Sequence, residues 1–221
     1  MLYLKDAGLI IAKKPQREKN ALVSLVTKRY GCLQALATGL RRPDSRLLGA
    51  TEPGTFGTVY LAVHHGKTLG HGVIRLLSML PYRLPGRGFR QHPYLGLWAL
   101  RLLRTRPLLE CSKEFWSLLE KLDRHLVAES RGFQVWFALQ FFHELGEAPN
   151  FDSCNKCGYQ LSATSYHSKG ELYCPKCSKP SYEPVTSKDL QLIKKIAASN
   201  TPLYPYPTVL KRLVAARLKQ K

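Results

Sequence analysis

The sequence predicts an α+β chain of several domains: an N-terminal five-stranded closed β-barrel, then a helical domain with an inserted four-cysteine module. Three observations carry this. Short apolar runs of strand-like composition fill the first eighty residues. Helical periodicity replaces them beyond residue 93. Two C-x-x-C pairs then interrupt the helices between residues 154 and 177. The corresponding segments are 1–80 (barrel), 81–150 (first helical part), 151–182 (cysteine module) and 183–221 (second helical part).

The barrel strands are read in order. AGLIIAKK (7–14), ALVSLVTK (21–28) and GCLQALATG (31–39) are rich in Val, Ile, Leu and small residues, with Asn20 and Tyr30-Gly31 as punctuation. TFGTVYLAVHHG (55–66) alternates apolar and polar positions and ends in a Gly66-Lys67 turn. KTLGHGVIRLLS (67–78) pairs back on it as a hairpin, with Gly70 and Gly72 suited to bends in a coiled strand. Five strands in eighty residues fit a barrel of the oligonucleotide-binding type, though the pattern alone does not separate it from an SH3-like barrel. PYRLPGRGFRQHP (81–93), with three prolines and two glycines, reads as a linker, and carries Arg83, Arg87 and Arg90.

The helices follow. YLGLWALRLLRT (94–105) is apolar apart from its arginines. SKEFWSLLEKLDRHLVAES (112–130) begins at a Ser112 N-cap and places Phe115, Leu118, Leu119, Leu122 and Leu126 on one face. FQVWFALQFFHELG (133–146) is apolar nearly all round, which marks a buried helix, and ends at Gly146. Beyond the cysteines, Thr186 and Asp189 form a capping-box pattern ahead of DLQLIKKIAAS (189–199), and YPTVLKRLVAARLKQK (206–221) reads as a last helix. The three tryptophans lie inside apolar helical patterns and are expected in the core.

Charge narrows the function. Lys and Arg outnumber Asp and Glu by 34 to 15, a formal charge of +19. The excess is +8 over residues 1–80, +3 over 81–150 and +8 over 151–221. So basic a chain repels itself when compact and fits a polyanionic partner. No apolar run has the length of a membrane span, and the N-terminus lacks the apolar region of a signal peptide, so no membrane role and a cytoplasmic location are expected.

The cysteines supply the most specific motif. Cys154, Cys157, Cys174 and Cys177 are spaced C-x2-C-x16-C-x2-C, as in sites for one Zn²⁺. Each C-x-x-C turn aims two thiolates inward, and two turns complete a tetrahedron with Zn–S bonds of about 2.3 Å. Four sulfurs fill that sphere, which argues for a structural ion with no place for a catalytic water. His167 falls between the pairs and reads as a loop residue; Cys32 and Cys111 stand apart as inert thiols.

Three basic clusters mark the barrel as the candidate contact surface. Arg41, Arg42 and Arg46 surround Pro43-Asp44 in a loop after Gly39. Lys13, Lys14, Arg17 and Lys19 lie between the first two strands, and Lys28 with Arg29 follows the second. Arginines on such loops pair with phosphates and stack on bases. No nucleophile elbow, Walker loop or dinucleotide fingerprint is present, and the carboxylates are scattered, so no catalytic residue is assigned and no enzyme is expected.

Three stretches then resemble the bacterial RecO family of recombination mediators: ALATGLRRPDSRLLGATEPGTFGTVYL, FFHELGEAPNFDSCNKCG and GELYCPKC. The order of modules fits as well. The resemblance implies an oligonucleotide-binding barrel, binding of single- and double-stranded DNA and annealing of complementary strands. It further implies partnership with RecR and single-stranded DNA-binding protein (SSB), help in loading RecA onto coated strands, and a nucleoid-associated cytoplasmic location. The alternative is an RNA-binding, zinc-containing protein of the translation machinery. A metal-dependent nuclease and a protein-interaction scaffold are the remaining readings, and the filled cysteine sphere opposes the former.

Overall fold

The computed structural model describes residues 1–63, 74–128, 132–161, 164–199 and 207–219. Two compact units divide the chain, Met1–Val127 and Ala128–Lys221. His64, His65, the expected Gly66-Lys67 turn and glycines 70 and 72 fall outside the described residues.

The first unit is built on β1 (Leu2–Gln16), β2 (Asn20–Thr27), β3 (Gly31–Ala37), β4 (Phe56–Val63) and β5 (Ile74–Arg83), with the short helix α1 (Leu47–Ala50) between β3 and β4. They close in the order β1-β2-β3-β5-β4. All pairings are antiparallel except β3 with β5, which meet in parallel at Leu36 and Arg75. This is the five-stranded Greek-key barrel of the oligonucleotide-binding type, and it settles the choice against an SH3-like barrel. Alternate residues turn inward, so Ile10, Val23, Leu25, Ala35, Val59, Leu61 and Met79 fill the barrel core.

Two strands run further than their apolar runs. β1 begins at Leu2, where Leu2–Leu9 pair with β4. β5 continues through Pro81 to Arg83, inside the expected linker. Pro81 sits opposite Gly57 next to a register shift, where a residue without an N–H is tolerated. The rest of that linker holds the short helix α2 (Arg87–Gln91).

Helices α3 (Pro93–Thr105), α4 (Lys113–Glu120) and α5 (Leu122–Ala128) complete this unit. Ser112 caps α4 as expected, its hydroxyl accepting from the Phe115 N–H at 3.1 Å. The single helix expected over 112–130 is broken at Lys121, which closes α4 before α5 begins. Trp116 is buried and meets Phe56 of β4 edge-on at 5.9 Å. Residue 31 must be glycine: its φ is +60°, and a Cβ there would lie 2.3 Å from the Leu108 carbonyl oxygen. That approach lets Cys32 N–H donate to the Leu108 oxygen at 2.8 Å, tying the segment after α3 to the β2–β3 turn.

The second unit is organised around α6 (Phe133–Glu144), whose Phe133, Trp136, Phe137, Phe141 and Phe142 are fully buried. Its end is a Schellman motif: Glu147 N–H reaches the Phe142 oxygen, and Gly146 N–H the His143 oxygen. The sheet β7-β6-β8 follows, from β6 (Ser165–Ser168), β7 (Glu171–Tyr173) and β8 (Glu183–Val185). α7 (Ser187–Ala197) is capped by Thr186, which accepts from Asp189 N–H at 3.1 Å and donates to its carboxylate at 2.8 Å. α8 (Thr208–Lys219) buries Leu210, Leu213 and Val214. No helix among the described residues is long and apolar enough to cross a membrane.

Candidate nucleic-acid interface and metal centre

The turn between β1 and β2 and the loop after β3 meet at one end of the barrel. Gly39, at φ +69°, turns the chain out of β3, and its N–H donates to the Asn20 side-chain oxygen at 3.0 Å. Arg41 N–H then donates to the Lys19 carbonyl at 3.1 Å, and the Arg41 guanidinium to the Arg17 carbonyl at 3.3 Å. Backbone bonds from Arg42 to Gly39 and from Ser45 to Arg42 fold the rest of the loop. Two clusters far apart in sequence thus become one surface. Lys14, Arg17, Lys19, Arg41, Arg42 and Arg46 are all exposed on it.

Lys13 behaves differently from Lys14. It pairs with Val23 in the register, on the side of the strand that faces the core, and at the barrel mouth it forms an ion pair with Glu52. Lys14 points outward and starts a row across four strands: Lys14, Leu22, Leu36 and Arg75 are successive register partners on β1, β2, β3 and β5. Half-buried leucines flanked by two exposed cations make a surface that accepts bases at its centre and phosphates at its rims.

Lys28 and Arg29 stand at the opposite end of β2, about 24 Å away along an eight-residue strand. Arg29 is already engaged: its N–H and guanidinium reach the Asp6 carboxylate at 2.8 and 3.2 Å, and its guanidinium also donates to the Lys5 carbonyl. The third cluster is therefore separate from the joined first two.

In the second unit, the ligand atoms of Cys154, Cys157, Cys174 and Cys177 all lie within 4.8 Å of one another. The Cys157 and Cys174 sulfurs are 3.7 Å apart, against about 3.8 Å for a tetrahedron with 2.3 Å arms. The four therefore fit one tetrahedral cation and can hold a metal ion. Each pair sits in a tight knuckle: Gly158 N–H closes on the Cys154 oxygen at 2.9 Å, and Cys177 and Ser178 N–H on the Cys174 oxygen at 3.0 Å. Burial works against ionising Cys154, but N–H groups of Cys174, Cys157 and Lys156 outweigh it and bring the thiol down to about 6. Cys177, hydrogen-bonded to Cys157, is pushed up to about 12. Without a cation the cluster holds protons that a metal displaces. Asn155 N–H donates to the Leu172 oxygen at 2.9 Å, which fastens the first knuckle to β7.

The profile described as Recombination protein O N terminal matches residues 1–73, and Recombination protein O C terminal matches residues 113–203. The chain belongs to the RecO family. A DNA repair protein RecO from Thermodesulfovibrio yellowstonii is 23% identical over 208 residues, covering 89% of this chain and 81% of that one. The protein of the same name from Myxococcus xanthus is 31% identical over 167 residues (69% and 63%). Another, from Caldanaerobacter subterraneus, is 24% identical over 204 residues (88% and 77%).

Several residues of the surface are not evident from the sequence. Leu22, Leu36 and Arg75 look like ordinary strand residues: the β1–β2 and β2–β3 registers set the two leucines beside Lys14, and the closure of β3 on β5 adds Arg75. Glu52 and Asp6, which neutralise Lys13 and Arg29, lie 39 and 23 residues from their partners. Outward alternation in ALVSLVTK and GCLQALATG was the available signal for Leu22 and Leu36. His167 is not a loop residue: it is buried on β6, 3.0 Å from the Glu183 carboxylate, which also pairs with Arg212 of α8. Cys32 is a hydrogen-bonded thiol, raised by burial and contacted by Leu108 N–H at 3.3 Å, in keeping with an inert role.

Proposed function

We propose that this chain is a non-enzymatic DNA-binding recombination mediator acting in DNA repair. It binds single- and double-stranded DNA, anneals complementary strands and, with RecR, helps load RecA onto strands coated with SSB. The observation that carries this reading is the joined surface at the barrel end, where Arg41 is bonded to Arg17 and Lys19 and six exposed cations converge. The relatives' name, DNA repair protein RecO, gives the biological setting; the roles of RecR, SSB and RecA are those that the sequence resemblance implies.

The mechanism follows from charge. Phosphates rest against Arg41, Arg42, Arg46, Arg17, Lys19 and Lys14, and release their counterions. Repulsion between two strands falls, and bases remain free to pair. Lys13, Lys28 and Arg29 belong to the proposed DNA-contacting set in a lesser role, since Glu52 and Asp6 already balance Lys13 and Arg29. The four cysteines hold one structural Zn²⁺, which supplies no chemistry beyond cross-linking two knuckles. This work belongs in the cytoplasm, at the nucleoid.

Strand annealing with SSB-coated oligonucleotides, with and without RecR, tests the reading. Faster annealing with DNA than with matched RNA strands, and a log–log salt slope of about −4 for six contacts to a single strand, is expected. A flat salt response overturns it, and a preference for RNA moves the chain to the translation machinery.

A further inference from the structure

From Pro53 to Leu109 the chain contains no Asp or Glu, yet it carries seven arginines and Lys67. Four of those arginines, Arg87, Arg90, Arg101 and Arg104, are exposed on α2 and α3. On α3, Tyr94, Leu97, Arg101 and Arg104 are spaced by three, four and three residues, so they share one helix face. Gly96, Ala99, Leu100, Leu102 and Leu103 are buried instead. Tyr94 is 73% and Leu97 54% exposed. Arg101 and Arg104 form no ion pair among the described residues. Like charges three apart destabilise a helix, and nothing on this face offsets them.

We infer that the outer face of α3 is a second nucleic-acid surface that grips the phosphate backbone of a second strand. It rests on the DNA-binding reading of the barrel end and extends it. Arginine rather than lysine is the chemistry of bidentate phosphate contact, and an exposed tyrosine beside it offers a stacking plane. A membrane is the poorer occupant, because Tyr94 and Leu97 alone make too small an apolar face for interfacial binding. Position adds a second argument. The segment after α3 is bonded to the β2–β3 turn through Leu108 and Cys32, whereas Arg41 meets Arg17 and Lys19 at the other end of β2. One molecule thus presents two basic surfaces separated by about 24 Å of strand, the length of β2. Lys28 lies at the α3 end. Two strands held apart by one barrel are positioned to meet.

The test is bridging. Donor- and acceptor-labelled oligo-dT strands, which cannot pair, are mixed with limiting full-length protein and energy transfer is read. Wild type brings the two strands together. The Arg101→Ala/Arg104→Ala variant, which loses a like-charge pair, is expected to melt no lower than wild type and to bind one strand with wild-type affinity. Its bridging falls at least tenfold, and the salt slope of its second binding step drops by about 1.4. Arg101→Lys/Arg104→Lys, which keeps the charge but loses the bidentate fork, bridges more than the alanine variant and less than wild type. Undiminished bridging in the alanine variant overturns the second surface and leaves the barrel-end reading standing. Wild type that binds no strand at all overturns both. Undiminished bridging with lost binding of polyglutamate makes the face a dock for acidic protein, which also overturns the inference.

Discussion

The cysteine module and the basic end of the barrel are both assembled by chain segments distant in sequence, but by opposite means. The module draws four like ligands within 4.8 Å of one another, an arrangement that fits one tetrahedral cation. The barrel end spreads its cations outward on a frame held by backbone bonds and an apolar core. On the proposed reading the first arrangement commits its charge to a bound cation, and the second offers its charge to a partner. On that same reading, a motif common among nucleic-acid-binding proteins is here a clip for its own fold, and contact passes to arginines on an ordinary loop.

The comparison breaks first at the metal. Chelation, or Cys154→Ser, is expected to remove the stabilisation of the second unit; structural zinc contributes on the order of 10 kcal/mol in small peptides. Differential scanning calorimetry then shows that unit melting early while the barrel transition stays. A single unshifted transition would mean that the cysteines hold nothing. On the barrel side, Gly31→Ala places a Cβ 2.3 Å from a carbonyl oxygen at positive φ and is expected to cost roughly 2–5 kcal/mol, measured by urea unfolding. That loss should be indifferent to metal.

Next in size is the contact itself. Arg41→Ala/Arg42→Ala/Arg46→Ala removes three phosphate partners and flattens the single-strand salt slope by about 2, with little change in melting temperature. Titration at several salt concentrations measures this, and a loss restricted to one base sequence would point to base readout instead.

The smallest effect sharpens the picture of the second unit. Arg212, and then His167, hold the Glu183 carboxyl below its ordinary value. A depressed carboxyl stabilises the fold above the unfolded value, and the benefit disappears as pH falls through the folded one. Wild type should therefore melt slightly above Glu183→Gln at pH 7 and match it in acid. A gap that widens on acidification would contradict the pairing.

Much of this was legible in the sequence, for physical reasons that differ by element. The cysteine spacing carries its geometry with it, because a C-x-x-C turn positions its own ligands. β2, β3 and α6 announce themselves because one periodicity governs each from end to end. β5 does not: Pro81 and Gly86 read as a linker, and only pairing with Gly57 extends the strand to Arg83. The break at Lys121 is hidden because Phe115, Leu119, Leu122 and Leu126 keep one apolar face across it. Three basic clusters were visible, but which two meet depends on the antiparallel register of β1, β2 and β3, which sets Ala37 opposite Ala21. Nor does the sequence tell that Asp6 occupies Arg29 while Arg41 bonds to the uncharged Arg17 and Lys19 carbonyls and meets no carboxylate among the described residues.

Single-strand affinity measured side by side for two variants tests the division of labour most directly. Cys154→Ser/Cys157→Ser, corrected for its folded fraction, is predicted to keep wild-type affinity and salt slope. Arg41→Ala/Arg42→Ala/Arg46→Ala is predicted to stay folded and lose roughly tenfold or more in affinity, about 1.4 kcal/mol. The reverse, binding lost with the cysteines and kept without the arginines, would place the DNA at the metal module and contradict the account.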